Sequence, residues 1–467
     1  MTSNVRDLSG EPRRLLVITY HLPPDGSVGG LRWAGLSKYL ARRGWEVDVI
    51  TASPQDAINP VPGVSLHHRS AWLTLNDVYN SWVKRLRAPT GDAATPSAAA
   101  ASAPSSPDSA RPAKAARWLR NNLSMALAFP DYGRGWIIPA TIAARGLLRA
   151  RTYHAIITSG PPHAAHLVGT LASVGRSVPH WVDMRDSWAA MVEQAWAQML
   201  VSSGGMRFLI RRVERFVLRR AHRAVTNTTE FADVLRRSYP GLSVSYVPNG
   251  IDPDRLPPPV AQKFEGLSIM YAGSLYFGRD LSSVLLAMRE FLEQHPDALG
   301  ALKLRIAGNM DAEHEARFWR DVATNGLGDL VEVLGQVSGV DALHLINRSH
   351  LTLVLAQNQP MQVPAKLYEC VAMGIPTLVV AESSSAAARE ARRIGAITCE
   401  PADIAGIRTT IERLWWDRTP VLTPSAAIGY HDIAAYIDEL LRGAVVLPDE
   451  TTLPAVGGAP RSSTTHG

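Results

Sequence analysis

Apolar residues recur along the chain in short runs that alternate with stretches of helical spacing. Runs rich in β-branched residues predict strands at 14–20, 46–51, 154–158 and 180–183 in the first part of the chain, and at 267–272, 303–307, 330–334, 351–355 and 377–381 in the second. Apolar residues three and four positions apart predict helices between them, for example at 31–43 and 139–150. Strands that alternate with helices indicate parallel sheets buried on both faces.

Two such arrays join near residue 255, shortly after a Pro-Asn-Gly turn sequence. A chain of 467 residues exceeds what one hydrophobic core usually fills, so two domains are expected. We predict a Rossmann-like domain at 1–255, a second at 256–425, and a helical segment at 426–446 that packs back toward the first. Segments rich in Ala, Ser and Pro at about 87–115 and at 447–467 are predicted to be disordered. Ligands of such folds bind beyond the carboxyl ends of the strands, which places the expected site between the halves.

The amino-acid composition is that of a globular protein from a reducing compartment. Apolar residues make up 46% of the chain and charged residues 19%, which is typical of globular proteins. Cys370 and Cys399 are too few for a disulfide framework and belong to no metal-ligand cluster, so a reducing compartment fits. No apolar stretch approaches the ~20 residues of a membrane span, and the first residues do not resemble a signal peptide. We therefore expect a cytoplasmic protein, either free in the cytoplasm or at the inner face of the plasma membrane.

The charge pattern favours anionic partners. Net charge is +6, and seven arginines lie between residues 206 and 224 among apolar residues at helical spacing. This pattern predicts an amphipathic basic helix, and a surface helix packed on its own domain is favoured over contact with an anionic membrane. Nucleic-acid binding ranks last, because no groove-reading module or aromatic platform accompanies the charge. A nicotinamide-dependent dehydrogenase is excluded, because the loop P-P-D-G-S-V-G-G lacks the glycine spacing of that fingerprint.

The most informative segment is a short helix framed by Pro364 at a first helical position and by Gly374 just past its end. Lys366 and Glu369 are three residues apart and share one face. The free N–H groups at such a helix start favour an anion such as a diphosphate, and a lysine in the first turn adds a point charge. A carboxylate one turn later can accept hydrogen bonds from vicinal hydroxyls. Spacing alone, however, favours an ordinary surface ion pair on a capped helix.

This segment, V-P-A-K-L-Y-E-C-V-A-M-G-I-P, resembles the donor-site signature of family 4 retaining glycosyltransferases. The resemblance implies the GT-B fold, which is an α/β fold with two Rossmann-like parallel-sheet domains facing a central cleft. Glu369 occupies the position of the glutamate that binds the donor ribose. Many members carry a second glutamate eight residues earlier, where this chain has Met361.

Further segments resemble this family in the expected order. They are the P-P…G-G-x-R loop after the first strand, S-G-P-P-H at 159–163, D-M-R-D-S-W at 183–188, P-N-G-I-D at 248–252 and Y-A-G-S-L-Y-F-G-R-D at 271–280. The resemblance implies catalytic roles for Asp183, Asp186, Arg279 and Lys366. It implies donor binding by Gly29, Gly30, Gly273, Ser274, Arg279, Lys366, Leu367 and Glu369, and acceptor-side roles for Arg32, His163 and Arg185.

The implied reaction moves a sugar from a nucleotide-diphosphate donor to a saccharide or polyprenyl-linked acceptor in cell-surface polysaccharide assembly. Lys366, Arg279 and the glycine loop would stabilise the leaving diphosphate without a metal or another cofactor. Asp183 and Asp186 would orient sugar or acceptor, or one of them would pair with Arg185. The alternative is a catalytically inactive GT-B protein that binds nucleotide sugars. The presence of Met361 in place of the second glutamate suggests this alternative.

Two groups of residues have a simpler interpretation. His163 and His166 follow the Pro-Pro turn, and histidines satisfied within the protein are favoured over ligand contacts. Trp181, Trp188 and Trp196 are expected to pack in the core rather than to stack on a sugar.

Overall fold

We describe a computed structural model that covers residues 13–25, 28–54, 61–74, 77, 129–188, 204–260, 262–275, 278–418 and 428–443. The segments predicted to be disordered, 87–115 and 447–467, lie outside these residues, as does Trp196.

The first half contains a seven-stranded parallel sheet in the order β3-β2-β1-β4-β5-β6-β7. Its strands are β1 Arg13–Thr19, β2 Trp45–Thr51, β3 Val64–His68, β4 Ala155–Gly160, β5 His180–Met184, β6 Arg223–Thr226 and β7 Val244–Tyr246. Its helices are α1 Leu31–Arg42, α2 Ile137–Ala150, α3 Ala164–Ser173, α4 Gly204–Leu218 and α5 Thr229–Ser238, with short 3-10 turns at Val28–Gly30 and Arg134–Trp136.

The second half contains a six-stranded parallel sheet in the order β10-β9-β8-β11-β12-β13. Its strands are β8 Leu267–Ala272, β9 Leu302–Ala307, β10 Val331–Gly335, β11 Leu351–Leu355, β12 Thr377–Val380 and β13 Ile397–Cys399. Its helices are α6 Ser282–Gln294, α7 Ala312–Thr324, α8 Gly339–Asn347, α9 Ala365–Ala372, α10 Ala386–Arg393 and α11 Ile404–Trp416. The predicted fold class, two Rossmann-like parallel-sheet domains, is confirmed.

Strand alternation sends neighbouring residues of β1 to two different cores. Leu15 and Val17 lie in an apolar cluster with α1, whereas Leu16 and Ile18 lie in one with α2 and α3. Because α4 and α5 pack on the matching face of β5 and β6, helices α2 to α5 form one layer on the same side of the sheet.

The last described helix, α12 Tyr430–Leu441, returns to the first half. Ile433 and Ile437 share the apolar cluster of α1. Gly35 of α1 lies against the ring of Tyr430, and a Cβ at this position would come within 2.2 Å of that ring. A side chain there would displace α12, so this glycine permits the close contact between the two helices.

The basic helix is shorter than the sequence predicts. Helix α4 ends at Leu218, and Arg223 begins strand β6. The chain turns between them, where the N–H of Ala221 donates to the carbonyl of Val217. Residues 224–226 are buried between β5 and β7, so tertiary pairing overrides the helical spacing of the arginines. Among the described residues, no helix has the length and apolar character needed to cross a bilayer.

Candidate functional site

A cavity of about 440 Å³ lies between the two halves, within the size range of small-molecule sites. The residues that line it follow the carboxyl ends of strands in both sheets. From the first half these are His21, Gly29, Leu31, Arg32, Tyr132, Pro161, Arg185, Asp186, Asn227, Asn249, Gly250, Ile251, Asp252 and Arg255, and from the second Leu256, Arg279, Leu343, Gln359, Gln362, Val363, Pro364, Ala365 and Glu369, with Tyr430 from α12.

The start of α9 faces this cavity. Pro364 is the residue before the helix rather than its first residue, and no side chain caps this end. The N–H of Leu367 donates to the carbonyl of Pro364. Within the described residues, the N–H groups of Ala365 and Lys366 have no recorded acceptor. The end of α9 is therefore open toward the first half and suited to an anion.

The two charged side chains of α9 form an ion pair. Lys366 Nζ lies 2.9 Å from Glu369 Oε2, and both side chains are partly exposed. Glu369 lines the cavity, whereas Lys366 is not among the lining residues and reaches the site only through its contact with Glu369. Leu367 is fully buried in an apolar cluster, so only its backbone can contribute to a ligand site.

Met361, which replaces the second glutamate, lies at the contact between the halves. Its side chain packs against an apolar cluster of the first half that includes Val182 and Trp188. Its carbonyl accepts a 2.9 Å hydrogen bond from Thr228 Oγ1. The position therefore serves the domain contact and offers no carboxylate to a sugar.

Asp183 lies beneath the cavity rather than in its wall. Its carboxylate is completely buried and accepts hydrogen bonds from Arg32 Nε at 3.2 Å, Trp33 Nε1 at 2.6 Å and Ser159 Oγ at 3.0 Å. These partners belong to α1 and β4. The contacts are those of a residue that fixes neighbouring elements, and they leave the carboxylate without access to a substrate.

Arg32 is the buried partner of Asp183. Besides the carboxylate, it donates to the carbonyls of Val247 at 2.9 Å and Pro248 at 2.6 Å. It thereby ties α1 to the loop after β7. Only 2% of the residue is exposed, although part of it reaches the cavity wall.

Arg185 organises two loops at the cavity. Its guanidinium donates to the carbonyls of Gly29 at 2.7 Å, Gly160 at 3.1 Å and Pro161 at 2.8 Å. Burial lowers the pKa of Arg185, while the nearby charges of Asp183 and Asp186 oppose that shift. Among the described residues it forms no direct ion pair with either aspartate, so the predicted pairing is replaced by these carbonyl contacts.

The two glycines of the first loop differ in their surroundings. Gly29 lines the cavity, whereas a Cβ on Gly30 would lie 2.7 Å from the Cα of Leu22. Gly30 is therefore required because the loop packs against the backbone after β1, and not because a ligand approaches it.

Asp186 lines the cavity and connects the two halves. Its Oδ1 accepts a 3.0 Å hydrogen bond from Gln362 Nε2. Burial raises the pKa of Asp186, although Arg185, the Gln362 amide and Arg279 favour its charged form. Arg279, also in the wall, donates to Gln359 Oε1 at 3.2 Å.

Gly273 and Ser274 lie outside the cavity wall, at the end of β8. The N–H of Gly273 donates to the carbonyl of Ala307 at 2.9 Å, and Tyr271 Oη donates to the carbonyl of Ser274 at 3.0 Å. Among the described residues of the predicted segment, 271–275 and 278–280, Arg279 alone reaches the wall.

His163 also lies outside the wall. Its ring stacks on Trp188 with a centroid distance of 4.9 Å, and burial lowers its pKa to about 3. His166 accepts or donates a 2.9 Å bond with Thr158 Oγ1, and Trp181 lies under the guanidinium of Arg223. These residues form part of the interior of the first half.

Sequence reasoning did not select several residues of the wall. They are His21, Tyr132, Asn227, Gln359, Gln362 and Tyr430. Asn227 is 6% exposed, and its buried Oδ1 has no hydrogen-bond partner among the described residues. Its place directly after β6 was the available signal, because residues in this position face the cleft.

Comparison with known proteins agrees with this architecture. Residues 29–250, a little under half of the chain, match the family model of the glycosyl transferase 4-like domain. No curated protein matches the sequence.

Among solved structures, sucrose-phosphate synthase of Thermosynechococcus elongatus is similar with a TM-score of 0.59 and 14% identity, over 92% of this chain and 99% of that one. HepE of Anabaena, in complex with UDP and glucose, is similar with a TM-score of 0.57 and 12% identity, over 92% of this chain and 100% of HepE. The N-terminal domain of Candida albicans trehalose-6-phosphate phosphatase is similar with a TM-score of 0.55 and 12% identity, over 92% of this chain and 97% of that domain. The chain thus has a glycosyltransferase-like GT-B fold.

Proposed function

We propose that this protein is a retaining glycosyltransferase that moves a sugar from a nucleotide-diphosphate donor to a saccharide or lipid-linked saccharide acceptor, in the assembly of a cell-surface polysaccharide. The observation that carries the proposal is the open start of α9 at the cavity, with Glu369 in the wall and Lys366 beside it.

The donor class follows from the chemistry of the α9 start and of the cavity wall next to it. Two free N–H groups, the ammonium of Lys366 and the guanidinium of Arg279 complement a diphosphate. Glu369 is suited to accept hydrogen bonds from ribose hydroxyls, in exchange for part of its ion pair with Lys366. That HepE of Anabaena was crystallised with UDP and with UDP-glucose supports a nucleotide sugar as donor.

The proposed reaction breaks the bond between the anomeric carbon and the diphosphate oxygen, which leaves with the electron pair. The acceptor oxygen bonds to the same carbon from the same face, and its proton passes to the leaving phosphate. Lys366, Arg279 and the α9 N–H groups stabilise the charge that develops on the diphosphate. This step needs no metal.

The outer helices of the first half support contact with an anionic membrane. Helices α2 and α3 contain no acidic residue, and the single acid of α4, Glu214, is buried and bonded to Tyr239 Oη at 2.8 Å. Large apolar side chains of the same layer are exposed, namely Ile138, Ile142, Leu171, Phe208 and Phe216. The guanidinium of Arg220 lies 4.1 Å from the ring centroid of Phe216. Exposed rings beside arginines suit the boundary between lipid headgroups and acyl chains.

Vesicle sedimentation tests the membrane contact. Binding to phosphatidylcholine vesicles should require added phosphatidylglycerol. Replacing Arg212, Arg215, Arg219 and Arg220 by glutamine should weaken it by roughly fivefold per residue. The control Arg413→Gln changes an exposed arginine of α11 in the second half and should have no effect. Equal binding with and without the anionic lipid would contradict this part of the proposal.

The donor part is tested by thermal shift with UDP-, GDP-, ADP- and dTDP-sugars, followed by assays for nucleotide release. A donor present at about 100 times its dissociation constant stabilises the fold by about 2.7 kcal/mol. Anomeric NMR of the product distinguishes retention from inversion. Absence of any stabilising nucleotide sugar would overturn the proposal.

The contact of Met361 with the first half supports a second candidate, a GT-B protein that binds nucleotide sugars without catalysis. Calorimetric binding of a nucleotide sugar, with neither transfer nor hydrolysis across several acceptors, would favour it. Nucleotide release that depends on an added acceptor would exclude it.

A further inference from the structure

A histidine with a fixed set of partners lies in the cavity wall opposite α9. His21 follows β1, and its Nδ1 lies 2.8 Å from Asp25 Oδ2. The same carboxylate oxygen accepts a 2.6 Å hydrogen bond from Ser53 Oγ. His21 Nε2 lies 2.9 Å from the hydroxyl of Tyr132, which also lines the cavity.

These partners determine the tautomer of His21. A carboxylate only accepts hydrogen bonds, so Nδ1 carries the proton of the neutral ring. Nε2 is then a hydrogen-bond acceptor, and Tyr132 donates to it. Partial burial and the Asp131 carboxylate raise the pKa of Tyr132 to about 12, so its hydroxyl keeps its proton at neutral pH.

The supports of this group are rigid. Asp131 Oδ1 accepts from the N–H of Gly133 at 2.9 Å, and its Oδ2 accepts from the N–H of Ala164 at 3.0 Å, at the start of α3. Ser53 Oγ in turn accepts from the N–H of Leu22 at 2.9 Å. These hydrogen bonds hold the segments that carry His21 and Tyr132 in place at the cavity.

A second histidine–carboxylate pair in the same domain shows what a purely structural pair looks like. His67 Nε2 lies 2.7 Å from Asp48 Oδ1, whose other oxygen accepts from Tyr153 Oη at 2.7 Å. His67 is not among the residues of the cavity wall. His21 differs because its accepting nitrogen meets a tyrosine hydroxyl in the wall, which a ligand hydroxyl can replace.

We propose that His21 Nε2 binds a hydroxyl group of the acceptor saccharide, which takes the place of the Tyr132 hydroxyl. The ligand class is a polyhydroxylated sugar that donates a hydrogen bond. Asp25 is a positioning residue, because it holds the proton of the neutral ring on Nδ1 and so leaves Nε2 as the hydrogen-bond acceptor. The inference rests on the proposed function and adds to it the side of the cavity that receives the acceptor.

The tautomer is measured first, from long-range proton–nitrogen NMR spectra of the full chain labelled at histidine, with His21→Asn used for assignment. Wild-type His21 should be protonated on Nδ1 alone. Asp25→Asn supplies an amide that can donate to Nδ1, which should move the proton to Nε2. A wild-type ring protonated on Nε2 would overturn the proposal.

Acceptor binding is measured next, with octyl glucoside, galactoside and mannoside added to protein holding its tightest nucleoside diphosphate. One glycoside should shift the His21 Nε2 resonance, and none should do so in Asp25→Asn. In transfer assays Asp25→Asn and His21→Asn should raise the acceptor KM by roughly three- to tenfold. Tyr132→Phe should leave it unchanged or lower it, because it removes the competing hydroxyl.

Controls separate this inference from the proposed function. His67→Asn should change neither the His21 resonance nor the acceptor KM. Thermal shift by the nucleoside diphosphate should be the same in wild type, Asp25→Asn and His21→Asn. Donor binding with no glycoside effect on His21 would overturn the acceptor role alone, whereas loss of donor binding in the wild type would overturn the proposed function.

Discussion

The two halves of the protein hold the charged groups at and behind the cavity wall in different ways. In the first half, Arg32, Asp183 and Arg185 are largely buried and engaged by protein partners. In the second half, the start of α9 is uncapped, and Lys366 and Glu369 form a partly exposed pair. These charged groups of the first half thus fix the shape of the site, while those of the second half remain able to engage a ligand.

The energetics of the two ion pairs express the same difference. A buried pair such as Arg32–Asp183 leaves an uncompensated charge in the interior when one partner is removed. A partly exposed i,i+3 pair such as Lys366–Glu369 contributes little to folding. Breaking the Arg32–Asp183 pair should therefore affect stability, whereas breaking the Lys366–Glu369 pair should affect ligand binding.

The largest expected effect follows from Asp183→Ala. This substitution leaves the buried Arg32 without its carboxylate partner and Trp33 Nε1 without its hydrogen-bond acceptor. The free energy of unfolding should therefore fall by about 3–5 kcal/mol. Urea unfolding measures it. Asp254→Ala, a control that breaks the exposed pairs with Lys38 and Arg42, should cost less than about 1 kcal/mol. Equal losses in both variants would contradict the distinction between a buried and an exposed ion pair.

The next effect follows from Glu369→Gln. Losing one charge-assisted hydrogen bond should weaken donor binding by about 1.5–3 kcal/mol, with little change in the free energy of unfolding. Calorimetry with the tightest nucleotide sugar measures the first and urea unfolding the second. Glu293→Gln, which breaks an exposed pair on α6, should change neither. Donor binding that survives Glu369→Gln unchanged would remove α9 from the site.

A smaller effect concerns the connection between the halves. Burial raises the pKa of Asp186, so the folded state binds its proton more tightly than the unfolded state. This stability is present at low pH and is lost as the pH rises from the ordinary aspartate value through the folded pKa. Asp186→Asn should therefore be more stable than wild type at pH 7 and show a flatter dependence of stability on pH above about 4. A steeper dependence in the variant would show that Asp186 is charged and stabilising.

Much of the fold was predictable because its signals are local. Apolar runs predicted nine strands, whereas the shorter or more polar β3, β6, β7 and β13 carried too little of that pattern. The helix α9, its open start and the pairing of Lys366 with Glu369 likewise follow from residues within one short segment.

The wall of the first half depends on contacts that no local pattern contains. Asp183 meets Arg32 across 151 positions, His21 meets Tyr132 across 111, and Gln362 meets Asp186 across 176. The resemblance of the D-M-R-D-S-W segment therefore suggested a substrate-facing carboxylate at Asp183, although its partners enclose that carboxylate.

Hydrogen exchange with and without a nucleoside diphosphate tests the central claim most directly. Saturating UDP, or whichever diphosphate stabilises the protein most, should slow exchange in a peptide spanning 363–370 because the N–H groups of Ala365 and Lys366 gain an acceptor. A peptide spanning 180–187 should change much less, since Asp183 and its partners are already bonded. Protection confined to other parts of the chain, with none at 363–370, would contradict the account.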